Sequence, residues 1–399
     1  MLSTVALGFL ALAASSEVTA APSDGLAATP QKIVLQSRVT PKGHATAVRA
    51  KAAKAIGVPL DDFFLGTDLQ WFGNISVGTP PQTVSVVFDT GSQTLEFAST
   101  ECTTCNQTNK FDGSKSSTYV RGNRVTTLDF ATGVGVDPVV NNDYVLTIRS
   151  GTDTVTVGGV AAKDISLFTI IKQTPKFNID PFLGIQGMGS QAEGFFAALT
   201  RAGLPSLFSY FLTPHTVGNA ELLIGGIDDT KFKGDLIYAD QQGDGDWEVE
   251  SSQISVNGKT TSILKQSRSV IFDSGTSNIL FDTQTTEAMY ALISPNIKPF
   301  PAEPGAYGLP CSEIDGLPAT IDITFTSQSG TPFNLTIPSS ELNVGPFASD
   351  PSTCQTLINA FDGLELVGGS LLKHYYSVWD VGNQRMGFAP NDVSWGNTY

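Results

Sequence analysis

Two aspartates sit in near-identical surroundings 184 positions apart, in Val86-Val87-Phe88-Asp89-Thr90-Gly91-Ser92 and in Val270-Ile271-Phe272-Asp273-Ser274-Gly275-Thr276. If two carboxyls from separate halves of a chain meet in a partly buried site, they cannot both ionise easily, so one proton is shared and the pair titrates as a unit. The ionised member can take a proton from a bound water while the protonated member polarises a carbonyl, which hydrolyses an amide without a covalent intermediate. The neighbours suit that task. Thr90 and Ser274 supply hydroxyls beside the pair, Gly91 and Gly275 let backbone amides approach the carboxylates closely, and Ser92 and Thr276 can donate to their outer oxygens. The competing reading is two ordinary turns, which Asp, Ser and Gly all favour. Chance supplies about 0.2 Asp-[Ser/Thr]-Gly triplets in a chain of this length, so two inside matching apolar flanks favour a shared site.

Each phrase begins in an apolar, strand-like run and is followed by a second one, Leu95 and Phe97 in the first case and Ile279-Leu280-Phe281 in the second. Strands must therefore carry the aspartates. The chain as a whole agrees: charged residues are 15% of its 399 positions, Gly numbers 39, and helical periodicity is scarce, so a mostly β protein of two or three domains is expected.

Residues 1–20 read as a signal peptide, with an apolar run from Val5 to Ala14 and small residues Val18-Thr19-Ala20 before the cut. That run is too short to span a bilayer, and the polar end Asn397-Thr398-Tyr399 lacks a lipid-anchor tail, so a secreted, extracellular protein without a membrane partner is expected. Charge divides the remainder. Residues 21–62 carry six cations against three anions, whereas 63–399 carry 17 against 34. A basic arm before an acidic body can be a disordered linker or a nucleic-acid tail. With export and the twin phrases, it reads better as a removable prosegment held over an acidic cleft until the carboxylates protonate. The acidic body argues against nucleic-acid partners and suits acid conditions.

Four cysteines in an exported chain suggest two disulfides with three possible pairings. Proximity favours Cys102–Cys105 and Cys311–Cys354. A Cys-x-x-Cys can also serve redox or zinc chemistry, but no further ligands lie nearby. His44, His215 and His374 match neither a zinc helix nor a serine triad, and no nucleophile elbow is present, so neither metal nor cofactor is expected. Sequons occur at Asn74, Asn106 and Asn334; Asn106 and Asn334 are the expected glycan sites, since Asn74 falls in an expected strand.

From about Gln70 to the C-terminus the chain resembles the pepsin-type aspartic endopeptidases, in particular secreted fungal proenzymes. The resemblance rests on both Asp phrases, on Trp71-Phe72-Gly73-Asn74-Ile75-Ser76-Val77-Gly78-Thr79-Pro80-Pro81-Gln82, on Gly225-Gly226-Ile227-Asp228, and on the segment from Leu366-Val367-Gly368 through Tyr375-Tyr376-Ser377-Val378-Trp379-Asp380 to Gly387-Phe388-Ala389-Pro390. It implies an all-β, bilobal acid-protease fold with a pseudo-twofold and an interlobe cleft. The segments would be a signal peptide at 1–20, a propeptide at 21–66, an N-terminal lobe with a flap at 67–240 and a C-terminal lobe at 241–399. Asp89 and Asp273 would be catalytic in a monomer that binds polypeptide substrates, its own propeptide as inhibitor, and pepstatin-type inhibitors. Self-processing in acid is expected around Phe63 to Leu69, since no dibasic pair marks residues 55–68.

The flap maps to Leu128-Asp129-Phe130-Ala131-Thr132-Gly133, and here the chain departs from the pattern. The usual flap tyrosine is Phe130, and the tryptophan it hydrogen-bonds is Glu96. Without a phenol oxygen an indole N–H has nothing to donate to, so the paired loss is coherent and implies a looser flap with weaker turnover. Gly369, where Asp or another small residue often follows the signature glycine, is a third departure, with a possible effect on the pH optimum. Phe130, Ile185, Ile279 and Leu280 suggest apolar pockets and cleavage between bulky apolar residues. With Thr132 where some fungal relatives carry an acid, lysine at P1 is expected to be poor, unless Glu96 faces the cleft instead of being a solvated loop carboxylate. The altered flap also admits a non-catalytic, peptide-binding scaffold of the same fold, although a pure binder has no need of paired carboxylates.

Overall fold

The computed structural model describes residues 55–132, 139, 143–191, 194–201, 203–243 and 245–393. The expected signal peptide, the basic arm before residue 55 and the flap residue Gly133 lie outside these residues.

The protein is built mainly from strands, and Thr283–Ile293 is the longest helix among the described residues. Two strands descend from the twin phrases. Gln82–Asp89 has its last four residues buried and lies parallel to Gly184–Gly187, with Asp89 opposite Gly187. Arg268–Phe272 lies parallel to Leu366–Val367, with Phe272 opposite Val367. In each half the follow-on strand, Leu95–Ala98 or Ile279–Phe281, returns antiparallel to that same partner. Near-continuous apolar sequence in these strands matches burial on both faces.

The first half continues through Leu95–Ala98 into three long antiparallel strands, Val160–Gln173, Val145–Val157 and Val120–Asp129. The second half forms a seven-stranded sheet, with a four-stranded sheet beside it. Chain from both halves meets in a bridging set of strands in the order Ile237–Asp240, Arg385–Pro390, Tyr375–Asp380, Leu207–Phe211, Ala220–Ile224 and Ile56–Phe64. Both expected disulfides are formed, Cys102–Cys105 over a three-residue separation and Cys311–Cys354 over 43.

The strand Ile56–Phe64 bears on the prosegment boundary. Its residues 56–60 pair with 224–220 and its residues 61–64 with Phe72 to Asp68, while Val58, Leu60 and Phe63 are buried. A boundary at residue 66, or a cut between Phe63 and Leu69, would remove or sever an internal strand and expose its partners' edges.

Candidate active site

Asp89 ends its strand and Asp273 follows its own, both more than 90% buried. Their turns are tied to the neighbouring strands: Met188 N–H donates to Asp89 O at 2.7 Å, and Asp273 N–H donates to Val367 O at 3.0 Å. Within each turn the glycine amide reaches the carboxylate, Gly91 N to Asp89 Oδ1 at 2.8 Å and Gly275 N to Asp273 Oδ1 at 2.7 Å. The other oxygens accept from hydroxyls, Asp89 Oδ2 from Ser92 and Asp273 Oδ2 from Thr276 at 2.6 Å. Glycine is required at both turns because a Cβ on Gly91 would stand 2.8 Å from the Asp273 carboxyl and one on Gly275 2.3 Å from Asp89 Oδ1.

Thr90 and Ser274 do more than stand beside the pair. Thr90 Oγ1 donates to Phe272 O at 3.1 Å and accepts from Ser274 N at 2.9 Å, while Ser274 Oγ donates to Phe88 O at 2.8 Å and accepts from Thr90 N at 3.1 Å. Four buried bonds thus clamp one turn to the other and satisfy two amides that would otherwise be orphaned. The two carboxyls come within hydrogen-bonding reach of each other. Burial first, and then the charge of Asp273, push the Asp89 carboxyl well above the usual carboxylate range. Like charges in a desolvated site leave room for a single shared proton.

The expected flap is the hairpin of Val120–Asp129 and Val145–Val157, with Asp129 opposite Val145 and Phe130 N donating to Tyr144 O at 3.1 Å. Just beyond its first strand, Thr132 touches the second turn, its Oγ1 lying 2.9 Å from Thr276 Oγ1. When Thr276 gives its one proton to Asp273, Thr132 is the donor in that contact. Ala131 is exposed beside them. Phe130 meets Phe177 edge to face at 5.7 Å, and Tyr144 meets the same ring at 5.3 Å. Phe130 and Tyr144 thus share Phe177 as a packing partner.

Glu96 is neither a solvated loop carboxylate nor a cleft residue. It lies in Leu95–Ala98, is 1% exposed, and accepts from Thr94 Oγ1 at 2.7 Å. Burial pushes its carboxyl up to about 8. Gly369 is explained by packing: a Cβ there would stand 2.5 Å from the Trp71 ring. Ile185 lines a pocket beside Asp89, whereas Ile279 and Leu280 are buried in the seven-stranded sheet. Asn74, Asn106 and Asn334 are all exposed, Asn74 from within the strand Asp68–Val77.

Several supports escaped sequence reasoning. Gln70 Nε2 donates to Gly275 O, Ser277 Oγ to Leu69 O, Tyr210 Oη to Phe88 O at 2.7 Å, and Trp247 Nε1 to Met188 O at 2.9 Å. Only Gln70, adjoining the Trp71 to Gln82 motif, carried any signal. A buried charge group was also missed: Lys373 Nζ lies 2.7 Å from Asp68 and 2.8 Å from Glu341, which in turn pairs with His374 at 3.0 Å.

The model of the eukaryotic aspartyl protease family matches residues 70–391. Curated relatives include pepsin A of Sus scrofa, 30% identical over 362 residues covering 85% of this chain and 86% of the relative. Cathepsin D of Dictyostelium discoideum is 32% identical over 359 residues, covering 83% and 85%, and cathepsin E-B of Xenopus laevis 29% over 346, covering 81% and 80%. With a match across most of its length and twin aspartate turns clamped face to face, the chain belongs to the eukaryotic aspartyl protease family.

Proposed function

We propose that the protein is a secreted aspartic endopeptidase that cuts polypeptides at acidic pH, with apolar side chains preferred around the scissile bond. The observation that carries this is the clamped pair itself: two buried carboxyls, each given one backbone amide and one hydroxyl, with Asp89 driven toward its protonated form. As a water between them attacks the substrate carbonyl, its proton passes to the ionised carboxylate while the protonated partner donates to the carbonyl oxygen. The tetrahedral diol then collapses, the amine leaving with a proton from the pair, and no covalent enzyme intermediate forms.

Asp89 and Asp273 are the catalytic residues of this reading. Thr90, Gly91, Ser92, Ser274, Gly275 and Thr276 position them, and the flap from Phe130 to Gly133 covers the substrate. The protein acts as a monomer, is inhibited by its own prosegment and by pepstatin-type compounds, and carries glycans at Asn106 and Asn334. Because the strand Ile56–Phe64 is integral to the bridging sheet, self-processing is placed upstream of Ile56. An Asp89→Asn proenzyme that still matured alone in acid would refute self-processing.

Peptide cleavage by acid-treated protein from about pH 2.5 to pH 7, with and without pepstatin, tests the reading against an Asp273→Asn control. Pepstatin-sensitive acid activity that the control lacks is expected. A folded, processed protein without activity would instead mark a peptide-binding scaffold.

A further inference from the structure

A narrow pocket of about 30 Å³ opens beside Asp89, walled by Ile185, Phe177, Phe182 and Leu183. One of its lining residues is Asp180, held at the end of the short 3-10 helix Pro175–Ile179, its N–H donating to Phe177 O at 3.3 Å. The Oδ1 atom of Asp180 is buried and has no hydrogen-bond partner. A buried carboxyl oxygen is costly unless it meets a donor, so Asp180 is suited to receive one.

The neighbouring amides do not supply one. Gln173 Nε2 is engaged with Gln107 Oε1 at 3.2 Å and Asn178 Oδ1 at 2.9 Å, and Gln107 Nε2 donates to Phe177 O at 3.0 Å. No Lys, Arg or His lines the pocket, so its only ionisable groups are two carboxyls, Asp89 and Asp180, between aromatic walls. Gln107, Asp180 and Leu183 also border an open groove. The cations of that groove are committed elsewhere: Lys110 Nζ to the carbonyls of Cys102 and Cys105 at 3.3 and 3.0 Å, Lys115 to Asp112 at 3.2 Å.

We infer that Asp180 is a specificity-determining residue, and that the pocket beside Asp89 takes a slim substrate side chain ending in an ammonium group, lysine above all. This rests on the endopeptidase reading and deepens it: the apolar preference belongs to the opposite side of the scissile bond, and the expectation that lysine is poor, drawn from Thr132, does not hold for this pocket. The narrow bore suits four methylenes better than an aromatic ring. The Phe177 and Phe182 walls pack the methylenes and favour a cation over their faces. Burial pushes the Asp180 carboxyl up to about 8, and an ammonium beside it offsets that by its opposite charge.

The test compares wild type, Asp180→Asn and Asp180→Leu on matched peptides carrying lysine, norleucine or phenylalanine on either side of the scissile bond. In one placement the wild type should cut the lysine peptide with kcat/KM about 10-fold above the norleucine peptide, the size of one charge-assisted hydrogen bond. Asp180→Asn should lose most of that ratio and Asp180→Leu should reverse it, with the norleucine peptide still cut by all three. A wild type that cuts norleucine as well as lysine in both placements, or an unchanged ratio in Asp180→Asn, overturns the assignment. Affinities of the same peptides for the Asp273→Asn protein, with and without Asp180→Asn, read the preference without turnover. A failure of hydrolysis would thus strike the endopeptidase reading alone.

Discussion

At the scale of the residue, the twin turns separate chemistry from construction. Ser92 and Thr276 touch the carboxyls, whereas Thr90 and Ser274 touch only backbone of the opposite turn. Thr90→Val keeps the shape but removes the acceptor of Ser274 N and the donor to Phe272 O. Leaving those buried groups unpaired should cost about 1–3 kcal/mol, read as a lower urea midpoint with unchanged slope. An unchanged midpoint would show that the clamp does not hold the halves together. Gly369 is a second case where one atom decides the packing. Since an added Cβ would meet Trp71 at 2.5 Å, Gly369→Ala should lower the melting temperature by the equivalent of about 1–3 kcal/mol, and Trp71→Phe in the same protein should recover part of it. Additive losses in the double variant would sink the explanation.

At the scale of the element, the flap and the strands were legible to different degrees. The twin phrases, each an apolar run ending in Asp, read directly as strands because both faces of Gln82–Asp89 are covered and every position after Ser85 is apolar until the aspartate. What sequence could not supply is which polar atoms meet across the halves: the partners of Thr90 and Gln70 lie 182 to 205 positions away. Likewise Ile56–Phe64 reads as a stretch before the family motif, and only its pairing with Ala220–Ile224 reveals it as a structural strand. That Phe130 stands where the resemblance implies a tyrosine was legible, but its packing on Phe177 was not, because the two rings come from segments 47 positions apart. Phe177→Ala should therefore free both Phe130 and Tyr144. The expected outcome is a KM raised several-fold with a smaller change in kcat, since ring pairs of this kind are worth about 0.5–1.5 kcal/mol each beyond their burial. Equal KM values for variant and wild type would place the flap's anchor elsewhere.

At the scale of the whole molecule, the buried carboxyls set a direction for stability against pH. Glu96 is driven up to about 8 and Asp180 to about 8 by burial alone or first, Asp62 to about 9 by burial and its contact with Asp68, and Glu365 to about 7. Each is raised above its unfolded value near 4, so the unfolded chain gives up these protons first as pH rises. Their stabilisation is complete below about pH 4 and is lost progressively toward pH 8 and 9, at no more than about 1.4 kcal/mol per pH unit for the fully buried Glu96 and less for the partly exposed Asp62 and Glu365. The opposing carboxyls are held below the ordinary range against their burial, Asp68 by its contact with Asp62 and then by Lys373, Glu341 by Lys373, so their contribution is present above pH 4 and disappears only in stronger acid. The formal net charge of −15 adds self-repulsion on the same alkaline side. The melting temperature should thus be highest between about pH 4 and 5 and fall steadily to pH 8. Glu96→Gln separates this from a general charge effect, because the amide keeps the size and the Thr94 contact but has no proton to lose. The variant should melt close to wild type at pH 4 and above it at pH 8; parallel curves across the whole range would show that the buried Glu96 proton does not govern the loss.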